Sequence, residues 1–145
     1  MSRIHKVASR SLYMGKLKHG DDLLGAISVI CRENNIRLGR VEAIGAVEKA
    51  TLGYYDQIRK EYDFFTIHAP HEITSLIGNV SLRDGVPMVH AHMTLSDEKG
   101  NVTGGHLAPG TIVFACETII EAFEGLDFNR CIDEDTGLPL WHHHD

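Results

Sequence analysis

The segment VPMVHAHMTLSDEKGNVTGGHLAPG, from Val86 to Gly110, reads as a β-hairpin that gathers three histidines. His90 and His92 are two residues apart, so on a strand both side chains leave the same face. Ser96-Asp97-Glu98-Lys99-Gly100 supplies the turn. Pairing Leu95 with Asn101 predicts that His106 lies across from His90, where facing Cβ atoms are about 5 Å apart. Gly104-Gly105, just before His106, leave the backbone room for a close approach or a bulge. Three neutral imidazoles converging on one point are the donor set of a divalent transition metal with an open coordination position. The competing reading is a polar hairpin face, hydrogen-bonded within a subunit contact.

Working outward, Ile4 to Leu17 alternates loosely and is predicted as a strand. His19-Gly20-Asp21 turns the chain and provides an N-cap. Leu23, Leu24, Ile27, Ile30 and Cys31 then recur at helical spacing, which predicts an amphipathic helix over Asp22 to Asn34. Arg37 to Asp56 reads as a long bent strand or strand pair, with Gly45 and Gly53 marking bulges or close approaches. Tyr62 to His68 and Glu72 to Leu82 are two further strands, and Arg83-Asp84-Gly85 turns into the hairpin. Thr111 to Glu121 reads as a strand, and Gly125 to Leu140 as mostly irregular chain. One helix among strands joined by tight turns argues an α+β fold with a mostly antiparallel sheet. The reading divides the chain into a single domain over 1–140 and a His-rich tail over 141–145.

The 145 residues suffice for one domain with a real core. No run of eighteen apolar residues is present, so no transmembrane helix is expected, and the N-terminus shows no apolar core of a secretory signal. Cys31, Cys116 and Cys131 are odd in number and widely spaced, which fits a reducing, cytoplasmic setting. Cys31 falls on the apolar helix face as a core thiol. The net charge of -6 argues against a phosphate-binding footprint. The cations Arg3, Lys6, Arg10, Lys16 and Lys18 near the start read as a solvated strand face. Glycine spacing gives neither a Walker loop nor a dinucleotide fingerprint, and no GxSxG elbow occurs.

A carboxylate could complete the histidine set, and the candidates are Glu72, Glu117 and Asp97. Asp97 stands five positions after His92, near the spacing of the cupin signature, which raises a double-stranded β-helix as a competing fold. The helix and the early strands fit that fold poorly. Glu117 lies in the apolar run FACETII and is either a strand residue facing water or a partner of an imidazole, the second being favoured. Glu72 and Glu117 are the candidate catalytic proton carriers. His142, His143 and His144 of the tail could also bind metal, but they read as a chain end and are set apart from the site.

AIGAVEKATLGYYD (Ala43 to Asp56), EITSLIGNVSL (Glu72 to Leu82) and VHAHMTLSDEKGNVTGGHL (Val89 to Leu107) together resemble the plants and prokaryotes conserved (PPC) domain family, of the bacterial and archaeal stand-alone type. The resemblance covers nearly the whole chain, and the succession EITSLIGN, HAH, GGHL is fairly specific. It implies an α+β domain on a sheet of about seven antiparallel strands, assembling as a homotrimer. It implies a metal, zinc being favoured, held by His90, His92 and His106. It also carries the label of DNA-binding protein, which comes from plant relatives in which an AT-hook precedes the domain. No Arg-Gly-Arg-Pro core occurs here, and the acidic balance points away from DNA.

Three classes of function follow. The first is a trimeric metal-site protein that acts on or senses a small molecule, with a bound water brought toward a pKa of about 7. The second is a DNA-associated regulatory module, on family analogy alone. The third is a structural trimerisation module in which the histidines stabilise a subunit contact. The sequence names no substrate and no reaction.

Overall fold

The computed structural model describes residues 4–142. Along the chain these form β1 (Ala8–Leu17), α1 (Leu23–Glu33), β2 (Gly39–Asp56), β3 (Glu61–Ile67), β4 (His71–Arg83), β5 (Val86–Ser96), β6 (Val102–Leu107), β7 (Ile112–Glu124), β8 (Asn129–Ile132) and β9 (Pro139–His142). The α+β class with a mostly antiparallel sheet is as expected. The described residues hold nine strands rather than about seven, because the stretch expected to be irregular contains β8 and β9. The tail expectation shifts too: Trp141 and His142 belong to β9, while His143, His144 and Asp145 lie outside the described residues.

The expected helix forms, but its N-cap is Asp22 rather than Asp21. The Asp22 carboxylate accepts from the Gly25 amide at 2.8 Å and, with its other oxygen, from the Gly110 amide at 2.6 Å. One side chain thus satisfies an otherwise unpaired helix amide and pins the β6–β7 connection to the helix start. Leu23, Ile27 and Cys31 face the core and are fully buried. Burial pushes the Cys31 thiol up to about 11, so it is an inert packing group.

The sheet runs β1-β7-β2-β6-β5-β4-β8-β9, with β3 on β2 and an additional β2–β4 pairing. Strand β2 makes this possible by bending at Gly45. Its first half lies between β7 and β4; its second half meets β3 and β6. Gly45 has φ of 146°, and a Cβ there would stand 2.1 Å from the Ala115 carbonyl oxygen. The bend therefore requires glycine. Pairing β2 with β4 and β6 closes a ring through β5, so the sheet curls around one interior. No double-stranded β-helix is formed.

Strict alternation then assigns the two faces. On β5, Val89, Ala91, Met93 and Leu95 point into the core, and His90, His92 and Thr94 point outward. On the outer face, Met14, Ile119, Glu42, Ile77, His92 and His106 form one cross-strand row through β1, β7, β2, β4, β5 and β6. The histidines are thus one end of a face whose other end exposes Met14, Ile44 and Ile77 among a few charged side chains.

Candidate metal centre

The hairpin forms with a register two residues removed from the expected one. Leu95 pairs with Thr103, and His106 lies opposite His92 rather than His90. The cause is the turn. Asp97 accepts from the amides of Lys99 and Asn101 with Oδ1, and from the Asn101 side chain with Oδ2. Asp97 and Asn101 also pair through their backbones, the Asp97 amide donating to the Asn101 carbonyl. Asp97 is therefore committed to the turn, and its hydrogen bonds hold its carboxyl below the usual carboxylate range. A slip of two keeps every side chain on its face, so the convergence survives it.

The three rings lie 5.1 to 5.4 Å apart between centroids. His90 Nε2 and His92 Nε2 are 3.2 Å apart, and one nitrogen from each ring falls within a common span of 4.8 Å. Two nitrogens on a tetrahedral ion at ordinary Zn–N lengths stand about 3.3 Å apart. His106 Nδ1 is buried without a hydrogen-bond partner, a position that costs about 1–3 kcal/mol unless something satisfies it. Burial first, then the charge of Arg130 and the neighbouring rings, lowers His90 to about 4; burial and His92 lower His106. Both rings are therefore neutral near pH 7, as metal ligation requires. The donor set fits a divalent transition ion.

The glycines before His106 permit the approach. A Cβ on Gly104 would stand 2.6 Å from the Met93 carbonyl oxygen, and one on Gly105 would stand 2.8 Å from that of Gly53. On the far side of His106, Gly53 is its ladder partner, and Tyr62 lies tilted over the ring at 4.7 Å. Phe64 stacks on Tyr62, which makes an aromatic wall on β3.

Neither expected catalytic carboxylate joins the histidines. Glu117 sits on β7, paired with Ile44 and Lys16. Three strand spacings separate β7 from β5, about 14 Å of sheet. It takes the role of a strand residue facing water, not that of an imidazole partner. Glu72 is at the other end of β4, opposite Ser96. Among the described residues the cluster contains histidines only.

What sequence reading missed is Arg130. It is buried on β8 and reaches the outer face of β4, donating to Asn79 Oδ1 at 2.6 Å and Ser81 Oγ at 2.8 Å. Asn79 is the direct β4 partner of His90. Arg130 also donates to the Pro139 carbonyl at 2.9 Å and lies 5.7 Å from the Trp141 ring centre. The available signal was the alternation of Asn129 to Ile132 followed by the turn residues Thr136-Gly137.

The Plants and Prokaryotes Conserved (PCC) domain model matches residues 5–124, and the chain belongs to that family. It is similar to the structure of a metal-containing protein from Archaeoglobus fulgidus, 39% identical over 98% of this chain and 100% of that one, with a TM-score of 0.93. It is also similar to a plant- and prokaryote-conserved protein from Pyrococcus horikoshii, 33% identical over 99% of each chain, TM-score 0.92. A protein from Ralstonia eutropha JMP134, provisionally described as DNA-binding, is 27% identical over 91% of each chain, with a TM-score of 0.81. A curated relative, the bifunctional protein GlmU of a Synechococcus strain, is 30% identical over 92% of this chain, which spans only 20% of that protein's length.

Proposed function

We propose that the protein is a homotrimeric metal-site protein that acts on or senses a small molecule, with His90, His92 and His106 holding a divalent ion, zinc being favoured. The observation that carries this reading is the convergence of three nitrogens on one face, one pair 3.2 Å apart. The metal would supply Lewis acidity to a ligand atom in its open position. The chain's own contribution is to fix the three rings on a paired ladder, hold His90 and His106 unprotonated and wall one side with Tyr62. The similar protein from Archaeoglobus fulgidus is described as metal-containing, which supports the same reading.

Elemental analysis of protein carrying no added tag tests it. About one divalent ion per chain is expected, lost in His90→Ala and retained when His142, His143 and His144 are all replaced by alanine. Metal-free wild-type protein from metal-replete growth, or full retention by His90→Ala, overturns it.

The apolar end of the outer face supports the trimer. Met14, Ile44 and Ile77 are 73%, 57% and 64% exposed and border a groove of about 770 Å³. A contiguous exposed apolar surface of this kind marks an association site. Sedimentation should give three times the 16.1 kDa chain mass, reduced to one in Ile77→Asp. A monomeric wild type refutes the assembly and leaves the metal reading standing.

The DNA reading has less support. Several arginines are already engaged by carboxylates: Arg37 by Asp127, Arg40 by Glu42 and Glu121, and Arg59 by Asp56, Glu61 and Asp63. Cations paired this way form no stripe for phosphates. No shift of duplex DNA in a gel at low salt is expected, because phosphate contacts are strongest there.

A further inference from the structure

Arg130 is buried, yet each polar partner recorded for it is neutral: a serine hydroxyl, an asparagine amide oxygen and a main-chain carbonyl. No carboxylate forms an ion pair with it among the described residues. A buried cation ordinarily has a charged partner, because desolvation without one is costly. Three hydrogen bonds hold the guanidinium in place, and of its roughly five N–H groups about two are left over. It is also fixed in position relative to the histidines, since its Asn79 contact is the ladder partner of His90.

The charge balance of the site follows from these contacts. Three imidazoles are neutral ligands, so a divalent ion on them keeps its full charge. Arg130, bonded to the ladder partner of His90, adds another positive charge on the same face. Among the described residues no carboxylate belongs to the cluster. What is missing is negative charge, and the side left to provide it is the ligand's.

We propose that the small molecule taken by this site is an oxyanion, a carboxylate or a phosphate, with its charged end placed between the three-histidine metal and Arg130. The proposal rests on the metal reading and adds the ligand class. Arg130 acts as a binding residue in it, with Asn79 and Ser81 holding the guanidinium in position.

The test uses the full chain loaded with cobalt(II), whose visible spectrum reports the coordination sphere. Titration with acetate and, separately, with inorganic phosphate should change the spectrum saturably with at least one of them. Acetamide, a neutral molecule of similar shape to acetate, should leave it unchanged. The anion that saturates distinguishes the carboxylate from the phosphate class. Arg130→Gln should load cobalt to the wild-type level but bind the anion at least tenfold more weakly, and Arg130→Lys should recover part of that loss. If cobalt does not load, the metal reading itself has failed. If cobalt loads and neither anion alters the spectrum, or acetamide acts as acetate does, the oxyanion proposal is overturned while the metal reading stands. Equal anion affinity in wild type and Arg130→Gln overturns the role of Arg130. Should Arg130→Gln not fold, the acetate and acetamide comparison on wild-type protein still decides the ligand class.

Discussion

Two hairpins meet at the candidate site, and they are held in different ways. The β5–β6 hairpin is part of the main sheet. β5 pairs along eleven residues with β4 and along five with β6, and its inward side chains belong to the core. The β8–β9 hairpin touches the sheet through a single bridged pair, Leu82 with Asn129. Its remaining side-chain attachments are polar: Arg130 donates to Asn79 and Ser81, Tyr55 Oη to the Thr136 carbonyl and Lys60 Nζ to the Glu134 carbonyl. The first hairpin is fixed by apolar packing and supplies the three candidate metal ligands. The second is fixed by a charged side chain and brings the cation Arg130 to the ladder partner of His90. A site built from both has a rigid half and a half whose position depends on a few hydrogen bonds.

This contrast can be broken at either hairpin. The largest effect is expected from His92→Ala, which should remove nearly all bound metal, measured by elemental analysis, while leaving the unfolding transition of the metal-free protein in place. Leu95→Ala comes next. Its side chain is fully buried in the core, and truncation should cost about 2–5 kcal/mol in denaturant unfolding. A loss below about 1 kcal/mol would mean that the hairpin is not locked as described.

Arg130→Ala should have a smaller and more local effect. Unpairing the Asn79 and Ser81 side chains costs about 1–3 kcal/mol. Amide exchange in β8 and β9 should quicken while β5 and β6 keep their protection. Uniform quickening of both hairpins would show that they are one cooperative unit, and the contrast would fall.

Asp97→Ala is the mildest. The Asp97 carboxyl is held below its ordinary value by Asn101 and the turn amides, so the folded state favours its charged form. That contribution is present above the unfolded value of about 3.9 and disappears as pH falls through the lower folded one. The thermal midpoint of the wild type should therefore drop more steeply between about pH 5 and pH 3 than that of Asp97→Ala. Parallel profiles would separate the register from the Asp97 network.

The difference between the hairpins is also one of legibility. HAH and GGHL carried the site because a period of two fixes a face whatever the register, and the register error of two residues changed the partner of His106 without moving it off that face. Gly45 was legible as a bend, since positive φ and a contact 2.1 Å from a carbonyl leave a trace in residue type. Glu117 misled because an apolar flank, FACETII, reads the same whether its carboxylate faces an imidazole or water. Only the position of β7, three strands from β5, decides between them. Arg130 was hidden for the opposite reason. It lies in a stretch rich in turn residues, and it matters through contacts 49 to 51 residues away in sequence.

The sequence by itself determined the α+β class, the helix and the outward alignment of three histidines, because each follows from a local period or a local backbone constraint. The tertiary structure decided which strands are neighbours: it removed Glu72 and Glu117 from the cluster, committed Asp97 to the turn and brought Arg130 to the partner of His90. Such neighbours are set by how β2 bends and the sheet closes, and no local pattern in the chain records how far apart its strands will come to rest.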